Sequence, residues 1–552
     1  MATRQDFLTP LSPRAAELLE ELRRPSSLRE KLVGRTEHDL AVLGELNAAA
    51  EPGMIPLLLQ GVFESPNTVS RAAAEIVDAA FARTPVRALS HVEDACRRIS
   101  SFFLFPAWRS LRPVELSRFQ DSGPARVGVA AVASFHPDGY VREAAVAWLD
   151  TLDARALPFL VLRLNDWVPQ VAERALAAVQ SRLVGTYANA LVDCLPLFAS
   201  LEQTRRRDHG AVIDGVYAVL RDPAQREALA RGRRSPDRLT RRLCFRLARE
   251  SPGTAILDLF RESRDDPDAA LRLAVTTDTV ARVKTDQLDA VMAAASTDPF
   301  HAVRRVALDA MATRVESPLM LPWLERGLLD GSRSIRDVSR YHLARLHLAV
   351  DVVQYYTDAL ARPLRSRTLA TALAGLRETG QPEHVSLALG FLDHERPVVR
   401  RAALRTVAAL DATPRLDRLV AMLDDPSPAV ANTAAEVLQS HVGAIGMNAV
   451  LAAVRSATRS HNRVAAASLV LRLGKWSTLI ALLNATSHPD PLLRESVDRW
   501  MREWLDRQNR AYAQPTPSQL GEITRALAEI GARLDPRTRE EIERAVAYWL
   551  PR

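Results

Sequence analysis

The chain has 552 residues, more than one compact core usually holds, yet no Gly/Ser-rich linker divides it into obvious globular pieces. Hydrophobic residues make up 47% of it and aromatic residues only 5%, with Ala and Leu abundant, a balance that suits close helix packing and argues against strands. A net charge of +7 is small for this length, and the 73 basic residues include only the lysines Lys31, Lys284 and Lys475, so an arginine-rich composition does not by itself define a phosphate-binding protein.

Met1 to Pro10 is polar and carries no secretory core, and no apolar run approaches the roughly 20 residues that span a bilayer, so a soluble cytoplasmic protein without a membrane span is expected. A helix is predicted from Pro13 to Arg24, ended by the polar break Pro25-Ser26-Ser27, and residues 1–50 read as an N-terminal helical cap. The first hairpin runs from Met54 through Phe63, turns at Glu64-Ser65-Pro66-Asn67 and returns through Val69, Ala72, Ala73, Ile76 and Val77. Between about 84 and 120 the regularity fails. The most aromatic stretch, Ser101 to Trp108, lies in this insert and reads as a plug sealing an irregular joint, with an exposed partner patch as the alternative.

From about residue 124 one pattern recurs. An apolar first helix leads into an Asp/Pro turn, and the second helix opens with an aliphatic-Arg pair: Val141-Arg142, Leu271-Arg272, Val303-Arg304, Ile335-Arg336, Val399-Arg400 and Leu493-Arg494. Weaker copies occupy the same slot at Val171-Ala172, Thr240-Arg241, Arg367-Thr368, Val430-Ala431 and Asn462-Arg463, and from Arg241 onward successive slots are 31 or 32 residues apart. One unit, about 187–222, is stretched. The clearest copies stand side by side between Leu392 and Leu438, where Val399, Ala402, Ala403, Thr406 and Val407 in one are matched by Val430, Thr433, Ala434, Val437 and Leu438 in the next. Such a hairpin cannot bury both apolar stripes alone and must stack on a copy of itself. The expected fold is an all-α, right-handed α-solenoid, a superhelix of about twelve antiparallel helix hairpins over residues 51–514, closed by a C-terminal helical cap at 515–552.

The turn Asp-x-x-x-x-Val-Arg or Asp-Pro-x-x-x-Val-Arg, followed by a second helix beginning Arg-x-x-Ala, resembles HEAT repeats, in a short period similar to the variety named after phycobilisome lyases. The resemblance covers roughly residues 54–510. It implies architecture more than activity, because HEAT arrays occur in transport receptors, phosphatase scaffolds, chromosome-organising complexes, bilin lyases and alkylpurine DNA glycosylases.

The recurring charges are expected to be structural. Asp266, Asp298 and Asp330 each precede Arg272, Arg304 and Arg336 by six residues, and Arg400 and Arg494 hold the same slot. Such a carboxylate can accept bonds at the start of the second helix while the guanidinium spans to it or to the adjacent turn, forming a ladder. His136, His394 and His488 take the Asp position in other copies and read as turn residues before metal ligands or bases. Cys96, Cys194 and Cys244 are odd in number and far apart, which indicates neither a disulfide framework nor a zinc site. No nucleotide loop, HExxH or nucleophile elbow is present, so no catalytic residue, metal or cofactor is assigned. The enzymatic alternative with this architecture, a DNA-base glycosylase, would set a carboxylate among tryptophans; Trp500 and Trp504 beside Asp498 and Asp506, and Trp148 near Asp150, are the places to look. A bilin lyase would need a chromophore pocket that the sequence does not expose.

One segment exceeds the background. Between Arg205 and Arg249 stand thirteen arginines against five carboxylates, and Arg205, Arg206, Arg207, Arg231, Arg233, Arg234, Arg238, Arg242, Arg246 and Arg249 form a candidate partner or polyanion patch, unless Asp208, Asp214 and Asp237 neutralise it locally. Along the array, the residue after each slot mixes signs: Glu143, Glu173, Arg242, Leu273, Arg305, Asp337, Leu369, Arg401, Asn432, Val464, Glu495. A groove made for a phosphate backbone would keep one sign. The expectation is therefore a non-catalytic scaffold or adaptor that binds a protein partner along its concave face, with a sequence-independent nucleic-acid binder as the rival.

Overall fold

The computed structural model describes residues 11–23, 36–64, 68–99, 106–120, 123–204, 206–508, 512–530 and 533–549. Residues 65–67 of the first predicted turn, 101–105 of the aromatic insert and Arg205 lie outside them. Among the described residues every regular element is an α- or 3-10 helix, with no strand, and two units are formed, Met1–Val283 and Lys284–Arg552.

The first unit opens with α1 (Pro13–Arg23) and α2 (Thr36–Ala49). Its hairpins are α3 (Ile55–Phe63) with α4 (Thr68–Arg83), then, after the insert helix α5 (Leu89–Ile99), α6 (Arg126–Ala133) with α7 (Gly139–Asp150), α8 (Leu157–Arg163) with α9 (Pro169–Gln180), α10 (Ala188–Leu201) with α11 (Gly210–Arg221), α12 (Arg226–Arg233) with α13 (Arg238–Glu250), and α14 (Ile256–Ser263) with α15 (Ala269–Arg282). The stretched copy owes its length to α10, a long first helix that continues through Pro196.

In the second unit the hairpins are α16 (Leu288–Ala295) with α17 (His301–Arg314), α18 (Ser317–Leu328) with α19 (Arg333–Arg345), α20 (Val352–Ala361) with α21 (Ser366–Thr379), α22 (Val385–Leu389) with α23 (Pro397–Asp411), α24 (Leu416–Ala421) with α25 (Pro428–Leu438), α26 (Met447–Ser456) with α27 (Ser460–Ser468), and α28 (Lys475–Ala485) with α29 (Pro491–Arg507). Helices α30 (Pro517–Ile530) and α31 (Pro536–Ala547) follow.

Second helices start where they do for local reasons. Asp138, Asp237, Asp268 and Asp490 cap α7, α13, α15 and α29 by accepting from backbone N–H groups of the first turn, and Pro169, Pro397, Pro428 and Pro491 stand at the opening of α9, α23, α25 and α29, where a missing N–H costs nothing. Steps of three and four then bury one stripe. Val141, Ala145 and Leu149 of α7 and Val399, Ala403 and Val407 of α23 are all fully buried, each large aliphatic side chain contributing about 1.5–3 kcal/mol. From α21 to α29 each second helix packs against the next.

The insert departs from this plan. Trp108 is fully buried against Phe63 and His136, and Phe119 also packs edge-on to Phe63, so the described aromatic residues of this region fill the joint between α3 and α6. Helix α5 runs along the turn edge of the first unit: its Glu93 pairs with Arg163 at the end of α8, and Arg87, just before it, reaches Asp237 in the turn between α12 and α13 at 3.4 Å. Among the described residues no single helix is long and apolar enough to cross a membrane.

Candidate interaction surface

Many of the turns between first and second helices are built around one acceptor. The Oδ1 atoms of Asp166, Asp330 and Asp425 accept from the backbone N–H two residues on, at 3.0, 2.8 and 2.8 Å. The Nδ1 atoms of His136, His394 and His488 accept the same bond in their own turns at 3.0, 3.0 and 3.1 Å, which leaves the proton on Nε2. In His136, Nε2 donates to the Trp108 carbonyl at 2.9 Å, and burial lowers this imidazole's pKa and keeps it neutral. These histidines are turn acceptors.

The slot arginines tie one turn to the next. Arg304 donates from Nε and Nη2 to both oxygens of Asp330 at 2.8 and 2.7 Å, and from Nη1 to the Asp298 carbonyl of its own turn at 2.6 Å. Arg142 with Asp166, Arg241 with Asp266 and Arg400 with Asp425 repeat the arrangement. Arg272 and Arg336 donate to the carbonyls of Asp266 and Asp330, and Arg494 to those of His488 and Pro489. Beneath α5 the rung is sealed: the Arg142 and Asp166 side chains are 0% and 1% exposed, against 15% and 17% for Arg304 and Asp330.

The turn between α20 and α21 lacks the acceptor. Residues 362–365 read Arg-Pro-Leu-Arg, and Arg336 turns instead to Glu378 near the end of α21, forking onto both of its oxygens. Arg340 shares Glu378 at 3.0 Å and approaches the Tyr356 hydroxyl at 3.3 Å, which itself donates to the Leu328 carbonyl at 3.1 Å. Large polar side chains thus fill the joint between α18/α19 and α20/α21. Glu378, Arg340 and Tyr356 carry no repeat signature and were not among the residues expected to matter.

Part of the basic segment is neutralised by carboxylates of adjacent helices. Arg231 pairs with Asp193 at 2.9 Å, Arg233 with Glu262 at 2.9 Å, Arg242 with Asp268, and Arg249 with Asp278. The hydrogen bond from Arg242 holds the Asp268 carboxyl below its ordinary value. Arg246 lies over the Tyr217 ring at 5.0 Å, Arg206 donates to the Asn165 carbonyl at 2.8 Å, and Arg234 and Arg238 are exposed while Arg207 is half-buried. Asp208, Asp214 and Asp237 are not the carboxylates that pair with this set.

The tryptophan neighbourhoods separate indole from carboxylate. Trp500 and Trp504 are buried, with Trp504 Nε1 donating to the Lys475 carbonyl at 2.9 Å, whereas Asp498 and Asp506 face solvent. Trp148 is buried and Asp150 binds Arg182 Nη1 at 2.6 Å. Among the described residues no group of three or more His, Cys, Asp or Glu is arranged to hold a metal ion, and burial raises the thiol of Cys194 well above its ordinary value and that of Cys244 to about 12. In the mixed column, Glu173, Arg305, Asp337, Asn432 and Glu495 are exposed, Glu143, Arg242, Leu273, Arg401 and Val464 are half-buried, and Leu369 is buried.

Hairpins with this turn chemistry resemble HEAT repeats, and the HEAT-repeat family model matches residues 357–439. No curated protein sequence matches the chain. Among solved structures the chain is similar to importin beta crystallised in an ammonium sulfate condition, at 13% identity over 97% of this chain and 84% of that one, with a TM-score of 0.31. It is also similar to Kap121p bound to Pho4p, at 11% identity over 96% of this chain and 56% of that one (TM-score 0.29), and to Kap121p bound to RanGTP, at 13% identity over 97% and 66% (TM-score 0.27). The chain spans little more than half of the Kap121p chain in the Pho4p complex, and superpositions this loose carry no argument about function.

Proposed function

We propose that the chain is a non-catalytic scaffold or adaptor of the cytoplasm, working without a cofactor, that holds a protein partner along the second-helix face of its HEAT hairpins. The observation that carries this reading is the mixed column on that face, where Glu173, Arg305, Asp337, Asn432 and Glu495 are exposed in the same register position of different repeats. Acidic, basic and amide side chains in succession suit a polypeptide whose own side chains vary along its length. The rival polyanion reading loses support because the strongest basic residues of segment 205–249 already hold carboxylates, and the glycosylase reading because the carboxylates beside the tryptophans point to solvent.

Affinity capture from the native host followed by mass spectrometry tests the proposal. Recovery of a defined protein, retained when nucleic acid is digested, supports it. Recovery of nucleic acid alone, or base release from alkylated DNA, overturns it.

A further inference from the structure

We infer that the second-helix face formed by α19, α21 and α23 is a docking site for an acidic polypeptide segment, centred on Arg377; this rests on the scaffold reading and names the chemistry of the partner at one place. Around this point Arg333, Arg336, Arg340, Arg377 and Arg405 stand against Asp337, Glu378 and Glu436, a surplus of positive charge that the sequence does not advertise because its members come from separate repeats.

The carboxylates are already committed. Glu378 is 4% exposed and shared by Arg336 and Arg340, Asp337 lies between Arg333 at 3.5 Å and Arg340, and Glu436 takes Arg405 at 3.0 Å. Arg377 is left over. Among the described residues no hydrogen bond or ion pair holds its guanidinium, although it is only half exposed. Burial lowers its pKa, and the charges of Arg405, Arg336 and Arg333 add to that effect against Glu378. A partly desolvated guanidinium pressed by like charges gains most from an anion brought in from outside.

A short acidic stretch of protein fits better than a nucleic acid. The positive region is bounded by Asp309, 40% exposed on α17, and by Glu436, 64% exposed on α25, so a phosphate backbone continuing past three helices would meet carboxylates on either side. Two or three Glu or Asp side chains spaced along an extended segment would end before them. Between the charges, α21 offers Ala370, Thr371 and Ala374, small side chains over which a backbone can lie close.

The test is fluorescence anisotropy with the full chain and fluorescein-labelled decaglutamate, beside a ten-nucleotide single-stranded DNA of the same label. The variant is Arg333→Ala with Arg377→Ala, chosen because Arg377 has no partner to orphan and Arg333 is 72% exposed. A double variant of equal charge loss, Arg234→Ala with Arg238→Ala, is the control. Decaglutamate binding weakened about tenfold or more in the first variant only, with unchanged helical circular dichroism, supports the site. Equal weakening in both variants, or tighter binding of the DNA than of decaglutamate, overturns it. If decaglutamate fails to bind while wild type and Arg333→Ala/Arg377→Ala capture the same host proteins, the acidic-segment assignment falls and the scaffold reading stands; if neither captures any protein, both fall.

Discussion

Arg400 holds Asp425 in a two-bond fork across a repeat boundary, Nε to Oδ2 and Nη2 to Oδ1, both at 2.7 Å, while its Nη1 binds the carbonyls of His394 and Glu395 in its own turn. One side chain therefore fixes the geometry of its own turn and the position of the next. The comparable rung at Arg304 and Asp330 is mostly buried, and removing the guanidinium strands a carboxylate there. Arg304→Ala is expected to lower stability by about 1–3 kcal/mol. Arg405→Ala breaks only a pair that is 38% and 64% exposed and is expected to cost less than about 0.5 kcal/mol. Denaturant melts of the two variants check the difference; equal losses would mean that the fork does not tie the repeats.

Glu378 provides a pH signature. Burial alone would raise its pKa, but the hydrogen bonds and charges of Arg336 and Arg340 outweigh that and hold it below the ordinary value. A depressed carboxyl contributes stability that is present above its unfolded pKa of about 4.3 and is lost as pH falls through the folded value. Wild type should therefore weaken below about pH 4 more steeply than Glu378→Gln, measured as the urea midpoint from pH 7 to pH 3.

His136 acts in a higher window. Its imidazole is neutral in the folded state with the pKa lowered by burial, so the unfolded chain takes up a proton first, and stability should start to fall as pH drops through about 6.5. His136→Asn keeps a turn acceptor and loses the bond to Trp108; it should be less stable at pH 7 and show a smaller further loss between pH 7 and pH 5. An identical pH slope in the two proteins would overturn the assignment.

Two glycines should respond with opposite signs. A Cβ on Gly375 would stand 2.2 Å from Cε1 of Tyr356, a ring that is fully buried, whereas a Cβ on Gly521 meets nothing within 4 Å in the interior of α30. Gly521→Ala is expected to raise stability by about 0.5–1 kcal/mol, and Gly375→Ala to lower it despite the same helix preference. Thermal unfolding of both reads the signs directly.

DNA binding should be weak. With Arg242 and Arg249 engaged by Asp268 and Asp278, a short duplex is expected to bind in the micromolar range or weaker at about 50 mM salt and to be released at about 200 mM. Nanomolar affinity at the higher salt, read by anisotropy, would favour a nucleic-acid protein.

The repeat was legible because its signal is local. A turn acceptor, an aliphatic-Arg pair and steps of three and four all fall within one short stretch, so the hairpins around Val141-Arg142 and Val399-Arg400 could be read without knowing what they pack against. What could not be read is contact between distant segments. Summing charge from Arg205 to Arg249 cannot reveal carboxylates at Asp193, Asp268 and Asp278, which come from neighbouring helices, and no periodicity indicates that the insert helix turns back to lie over Arg163. Glu378 was hidden for the opposite reason: it replaces an absent turn acceptor from a different place on the hairpin, so it has no register to betray it.

The forks also give the array a direction along the chain. Arg142, Arg304 and Arg400 each reach forward to a carboxylate that lies later in the chain, 24 to 26 residues on, while among the described residues Arg494 binds the carbonyls of its own turn. The hairpins of Arg142, Arg304 and Arg400 therefore each carry at their own turn a guanidinium whose carboxylate belongs to the hairpin after, so these clasps face the C-terminal side.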